Sequence, residues 1–207
     1  MAQIRVNTNI LRREIFRQAD RALVGRVKPL LEKKFYDEKQ KLLEEFDGHA
    51  VTQELKGGAN ADGDIVSTSR GGNLYSYLGF AGDIDAIGDL RSDIEKNTTK
   101  GHVTKKVTAN KISYSLEVRT PSLEELKRRS QTLLWINRSW IDVVEKGLGN
   151  FRRYLFDDSG RLENSSQTGV AIQIKHDIGK RKKLKSTPYV SELLKKFRDR
   201  IVRFTKR

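Results

Sequence analysis

The chain has 207 residues, 36 % apolar and 33 % charged, with 41 Lys and Arg against 27 Asp and Glu for a net charge of +14. That balance fits one modest core with much solvated or partner-covered surface, and the absence of cysteine excludes disulfides, thiol catalysis and cysteine-ligated metal. No apolar run approaches the ~18 residues a membrane span requires. Met1 to Arg13 carry no secretory pattern, so cytoplasmic synthesis without a membrane partner is expected, and the sequons at Asn97, Asn137 and Asn164 are expected to be chance matches.

Residues 1–8 read as an extended N-terminal arm. Thr8 or Asn9 can cap a following helix. Ile15, Phe16, Ala19, Leu23, Val27, Leu30, Leu31, Phe35, Leu42 and Phe46 then keep helical spacing, which predicts a helix over roughly 10–47. Pro29 removes a backbone donor and crowds the preceding turn, so a kink or break is expected between Gly25 and Pro29. A short continuation from His49 to Lys56 is expected to end at Gly57-Gly58. Residues 57–73 hold seven Gly or Ala and only Ile65 and Val66 as large apolar residues, which predicts a mobile loop. The aromatic-rich run from Gly71 to Phe80 has neither the phosphate-loop pattern nor the glycine spacing of a dinucleotide turn, and reads as a segment docking on the core or on a neighbouring subunit.

Ile84, Ile87, Leu90 and Ile94 share one face of a short helix expected over 83–95. His102 to Val107 and a turn at Ala109-Asn110-Lys111 precede Ile112, Tyr114, Leu116 and Val118, which alternate with polar residues. Period two over eight residues predicts a half-buried strand, and the turn predicts a hairpin. Ser122-Leu123-Glu124-Glu125 is a capping box opening a helix from 123 to about 130. Trp140, Val143, Val144, Leu148, Phe151 and Leu155 predict a helix running to about residue 156, with Gly147 and Gly149 inside it marking close packing. After a polar loop from Asp157 to Thr168, Val170, Ile172 and Ile174 alternate as a strand able to join the hairpin sheet. A last helix begins near Pro188 and aligns Val190, Leu193, Leu194, Phe197, Ile201 and Phe204 on a stripe that must be buried. The order of elements predicts an α+β fold: a long N-terminal helix and further helices on a small antiparallel sheet, with extended terminal arms. The domain reading is an arm over 1–8, a single domain over 9–176, and a basic linker with an amphipathic helix over 177–207. No internal repeat is present.

The chemistry-bearing residues form no catalytic constellation, so no enzyme and no cofactor is expected. His49, His102 and His176 are far apart and lack metal-ligand spacing. Asp83, Asp85 and Asp89 would bind a divalent ion only if folded together, and acids at a helix N-terminus have a simpler role against its dipole and free N–H groups. A divalent-ion nuclease at those aspartates is the weakest of the readings considered. The charge, by contrast, is concentrated: Lys175 to Arg207 holds 13 Lys and Arg against three acids. Lys180, Arg181, Lys182, Lys183 and Lys185, continued by Lys195, Lys196, Arg198 and Arg203, form a candidate contact for a polyanion or a neighbouring subunit. No sequence-reading motif accompanies them, so contact with nucleic acid would be to phosphates.

Trp135 and Trp140, with Phe151, are the candidate core anchors. The run from Trp135 to Leu155, with its W-x-x-x-S-W turn leading into a helix, resembles the tail-completion and neck proteins of tailed bacteriophages. Thr168 to Lys175 and Pro188-Tyr189-Val190 are similar to the closing strand and terminal helix of that family. The resemblance covers roughly the second half of the chain. It implies a virion structural protein of the head–tail junction, a tail-completion or tail-terminator subunit that forms a homo-oligomeric ring, often six-fold. Its partners would be other neck and tail proteins, and DNA passing through the channel. Three contact regions are expected on that reading: Ala2 to Thr8, Gly57 to Phe80, and Lys180 to Arg207. The alternative is a sequence-independent nucleic-acid-binding protein using the basic C-terminal segment.

Overall fold

A computed structural model describes residues 8–58, 74–78, 80, 85–108, 111–133, 136–147 and 186–204. In chain order these form α1 (Thr8–Asp47), α2 (Ala50–Lys56), α3 (Leu74–Leu78), α4 (Ala86–Asn97), β1 (Thr99–Thr108), β2 (Lys111–Arg119), α5 (Leu123–Arg129), β3 (Thr132–Leu133), β4 (Arg138–Ser139), α6 (Trp140–Lys146) and α7 (Val190–Phe204). The fold is α+β: β1 pairs antiparallel with β2, and β3 with β4, beside a long N-terminal helix and shorter ones. The chain divides into two compact units. One takes residues through Glu38 with Thr99–Arg119, the other Lys39–Thr98 with the residues from Thr120 onward.

The first unit contains most of α1 and the β1–β2 hairpin. The break allowed for at Pro29 does not occur: α1 is one helical segment through Pro29. The carbonyl that Pro29 leaves without its helical donor lies four residues back, on Gly25, which is exposed and has open space where a side chain would be. The apolar stripe is narrower than its sequence spacing suggests. Val27 and Leu31 are half-buried and Phe35 is buried, whereas Leu30 lies 57 % exposed. Glu38 takes the next buried position, paired with Lys34 one turn earlier. In the hairpin, Val103 faces Leu116, Lys105 faces Tyr114 and Val107 faces Ile112. The predicted alternation holds on β2 from Tyr114 onward, where Tyr114, Leu116 and Val118 are half-buried and Ser115, Glu117 and Arg119 exposed, but not at Ser113, which is half-buried like Ile112.

The second unit holds a dense core. Leu42, Phe46, Val51, Leu74, Leu78, Ile94, Leu126, Ile141, Val143 and Phe197 are each at most 1 % exposed. Its helices are closed by local signals. His49 Nδ1 accepts from Val51 N to start α2, and α2 ends at Gly57, with Gly58 in the left-handed region at φ 62°. Asp85 accepts from Gly88 N at 2.8 Å to cap α4. The capping box of α5 is complete, Ser122 and Glu125 bonding each other's backbone N–H. The expected helix to about residue 156 is corrected: α6 stops at Lys146, because Gly147 adopts φ 69°, ψ 178°, a conformation open almost only to glycine. Gly147 is thus a helix terminator, and it is buried.

Several expected features lie outside the described residues. They are the arm over 1–7, the loop over 59–73, Ile84, the alternating run at Val170, Ile172 and Ile174, and His176.

Candidate assembly surface

The residues proposed as core anchors divide. Trp140 is 1 % exposed and meets Phe80 edge-on at 6.0 Å between ring centroids. Trp135 and Phe151 lie outside the described residues. The residue at the centre of the aromatic cluster is one the sequence reading used only as part of a terminal motif. Tyr189, fully buried, stacks on Phe46 at 5.7 Å, contacts Trp140 at 6.3 Å and His49 at 4.7 Å, and shares a 2.6 Å hydrogen bond with Thr52. Burial pushes its hydroxyl well above the usual tyrosine range. The aromatic-rich run after Gly71 docks on this core in part: Leu74, Leu78 and Phe80 are buried, and the Glu54 carboxylate accepts from Leu74 N at 2.6 Å.

Three further polar devices hold the second unit. The Glu145 carboxylate at the end of α6 accepts from Tyr189 N at 3.3 Å, Ser191 N at 2.8 Å and Ser191 Oγ at 2.7 Å. A carboxylate across the fold thus does for α7 what an N-cap side chain does locally. Nothing in the local sequence of α7 could have shown it. Asp142 in the first turn of α6 binds Lys127 at 3.0 Å, Lys146 at 2.9 Å and the Arg138 guanidinium. Burial works to raise its pKa, but the hydrogen bonds from Lys146, Arg138 and Lys127 outweigh it and hold the carboxyl far below the usual range. Asp47 behaves alike at the end of α1: burial opposes ionisation, and Lys56 and Arg91 more than offset it.

Of the candidate contact residues in the basic segment, Lys180, Arg181, Lys182, Lys183, Lys185 and the Arg203 side chain lie outside the description. Lys195, Lys196 and Arg198 are exposed on α7, opposite Val190, Leu193, Leu194 and Phe197, which are buried as the stripe predicted. Lys196 pairs with Glu192 at 2.8 Å, and Arg198 donates to Thr120 and Pro121. The described part of the basic face is therefore already tied into its own unit at two of three positions. Asp85 is engaged as a cap and Asp89 sits exposed in the first turn of α4, while Asp83 lies outside the description. Among the described residues no three His, Cys, Asp or Glu side chains are grouped to hold a metal ion, and no helix is long and apolar enough to cross a membrane.

Among the described residues four large apolar side chains are exposed: Val202 (50 %) on α7, and three elsewhere. Leu30 (57 %), Tyr36 (56 %) and Val107 (56 %) all belong to the helix–hairpin unit. Among that unit's described side chains only Phe35 and Glu38 are buried. Lys100 bonds Glu32 at 2.7 Å and lies 5.7 Å from the Tyr36 ring, so charge covers part of the aromatic face. A two-stranded ribbon is marginal in water without a covering layer.

No protein-family model matches the chain, and no curated protein or solved structure is significantly similar to it.

Proposed function

We propose that the chain is a non-enzymatic structural subunit of a phage head–tail junction, a tail-completion or tail-terminator protein that closes into a homo-oligomeric ring in the virion. The observation that carries this reading is the helix–hairpin unit, which leaves Leu30, Tyr36 and Val107 open while burying only Phe35 and Glu38 among its described side chains. Such a unit gains its missing burial from a neighbour, which is the physics of an assembling subunit. The resemblance carried by Trp135 to Leu155 supplies the kind of assembly. Other neck and tail proteins would cover the ring's faces. The basic residues of the C-terminal segment would meet acidic neighbours or the phosphates of passing DNA.

The mass of the full chain in solution, by light scattering at low and high salt with and without duplex DNA, tests the reading. The expected result is a ring-sized species indifferent to DNA, or a small species that closes into rings when the tail partner is added. Transfer of a small species onto DNA, with affinity falling steeply as salt rises, would replace it with the nucleic-acid-binding alternative.

A further inference from the structure

Among the described residues β2 has a strand neighbour on one side only, so its other edge is a template for a further strand. The two edges of the hairpin are not equivalent. β1 carries Lys105 and Lys106 in succession and a register irregularity between Lys100 and Val103, where Gly101 sits so close to Glu117 that a Cβ would meet its Cβ at 3.3 Å. Successive lysines and a bulge are the usual guards against edge pairing. β2 has neither guard: its pairing runs without a shift from Lys111 to Leu116, and the strand contains no Pro or Gly.

The sequence of β2 is also complementary to itself. Counted outward from Tyr114, Ser113 answers Ser115, Ile112 answers Leu116, and Lys111 answers Glu117. An antiparallel second copy on a two-fold axis at Tyr114 therefore places hydroxyl against hydroxyl, aliphatic against aliphatic and cation against anion. The backbone phase agrees. Thr108 and Lys111 close the hairpin across two residues, and such a closing pair is hydrogen-bonded. Pairs then alternate, so Ser113 and Ser115 address β1 while Ile112 and Leu116 turn their N–H and C=O to the outer edge. Using those outward groups requires the axis to fall on a residue and not between two. An axis at Ser115 would set Lys111 against Arg119, and one at Ser113 would leave Lys111 opposite Ser115. Only Tyr114 matches every pair.

We infer that β2 is a self-association edge, at which two copies of this chain pair β2 to β2 about a two-fold axis at Tyr114 and form one four-stranded antiparallel sheet. The new sheet continues the aliphatic face made by Val103 with Leu116 and Val107 with Ile112, so the half-buried Ile112 and Leu116 gain neighbours on the same face. Glu117 is free to change partners, because its contact with Arg119 joins side chains 60 % and 73 % exposed, and such pairs contribute little. A two-fold contact is isologous and a simple ring contact is heterologous, so this edge stands or falls independently of the ring reading.

The chain has no cysteine, so single substitutions report the axis directly. In a hydrogen-bonded antiparallel pair the Cα atoms are about 5.5 Å apart, within disulfide reach. Ser113 faces Ser115 of the other copy, so its own two copies are separated by the diagonal, roughly 7–8 Å. Tyr114→Cys should give a disulfide-linked dimer on mild oxidation, and Ser113→Cys should not. Absence of the Tyr114→Cys cross-link, or equal cross-linking at both positions, overturns the inference. Sedimentation of the full chain gives a second reading. Glu117→Lys and Lys111→Glu should each raise the dimer dissociation constant about tenfold or more, since each turns two attractive cross-strand pairs repulsive, and the double reversal should restore it. Unchanged dimerisation in the single variants, or no recovery in the double, also overturns it. The ring reading is judged separately, from whether a ring-sized mass is present.

Discussion

In the unit formed by Lys39–Thr98 and the residues from Thr120 onward, helices from distant parts of the chain close on one aromatic cluster. In the unit formed by the N-terminal part of α1 and the hairpin, Phe35 and Glu38 are the buried side chains among those described, and Leu30, Tyr36 and Val107 face outward. Both units draw on the same low supply of apolar residues. One spends it inward on Trp140, Tyr189, Phe46 and Phe197, and so carries its stability within itself. The other leaves it exposed. On the proposed function, the difference separates residues whose loss unfolds the protein from residues whose loss leaves it folded but unassembled.

Trp140→Ala should be the most damaging single change. It removes the ring that touches both Phe80 and Tyr189, and emptying such a buried site costs about 3–5 kcal/mol, a large part of the stability of any domain this size. Urea unfolding followed by circular dichroism measures it. A loss below about 1 kcal/mol would mean that the core does not depend on this cluster, and the contrast between the units would collapse. Glu145→Ala should cost about 2 kcal/mol, because it strips the N-terminus of α7 of its acceptor and leaves the Tyr189 and Ser191 amides without one. Glu145→Gln keeps an acceptor and should lose roughly half as much.

Acid should act on the core unit in two steps. His49 is held neutral first by burial, which lowers its pKa against the opposing pull of Glu192, and its Nδ1 is occupied as the acceptor for Val51 N. A depressed pKa means its contribution is complete above the unfolded value of about 6.5 and is lost as pH falls below it. Asp142 and Asp47 have carboxyls held low by their cations. Their contribution is complete above about pH 4 and is lost only in stronger acid. Chemical denaturation from pH 8 to 3 should therefore show a shallow fall and then a steeper one. His49→Asn keeps a capping acceptor and should remove the first step. Asp142→Asn should lower stability by about 2 kcal/mol at neutral pH and flatten the second. A second step unchanged in Asp142→Asn would assign it to other carboxylates.

What the sequence made legible follows from how far each signal reaches. The capping box at Ser122, the hairpin alternation at Ile112 to Val118 and the stripe of α7 are local patterns, and each element stands where its pattern placed it. Apolar periodicity records neither the continuity of α1 through Pro29 nor the backbone conformation at Gly147 that ends α6. Glu145 as the cap of α7 joins residues 46 apart, so no window of sequence contains it. On the candidate surface, the spacing that put Leu30 in the helix stripe could not tell a buried flank from an open one. The basic residues of the C-terminal segment were legible as charge, but not the engagement of Lys196 by Glu192.

The smallest expected effect on stability is the sharpest test of the contrast. Leu30→Ser and Val107→Thr replace apolar side chains already more than half exposed, so each should change the unfolding free energy of the isolated chain by no more than about 0.5 kcal/mol. Threonine also keeps the β-branched shape that suits a strand at position 107. If the helix–hairpin unit is completed by a neighbour, the same substitutions should shift assembly toward smaller species in light scattering, because they remove apolar area that only association buries. Stability and assembly would then separate cleanly: Trp140→Ala would lower the first and, through it, the second, while Leu30→Ser and Val107→Thr would lower the second alone. Should either surface change cost more than about 2 kcal/mol in the isolated chain, that side chain would be part of a core, and the helix–hairpin unit would be as self-sufficient as its counterpart.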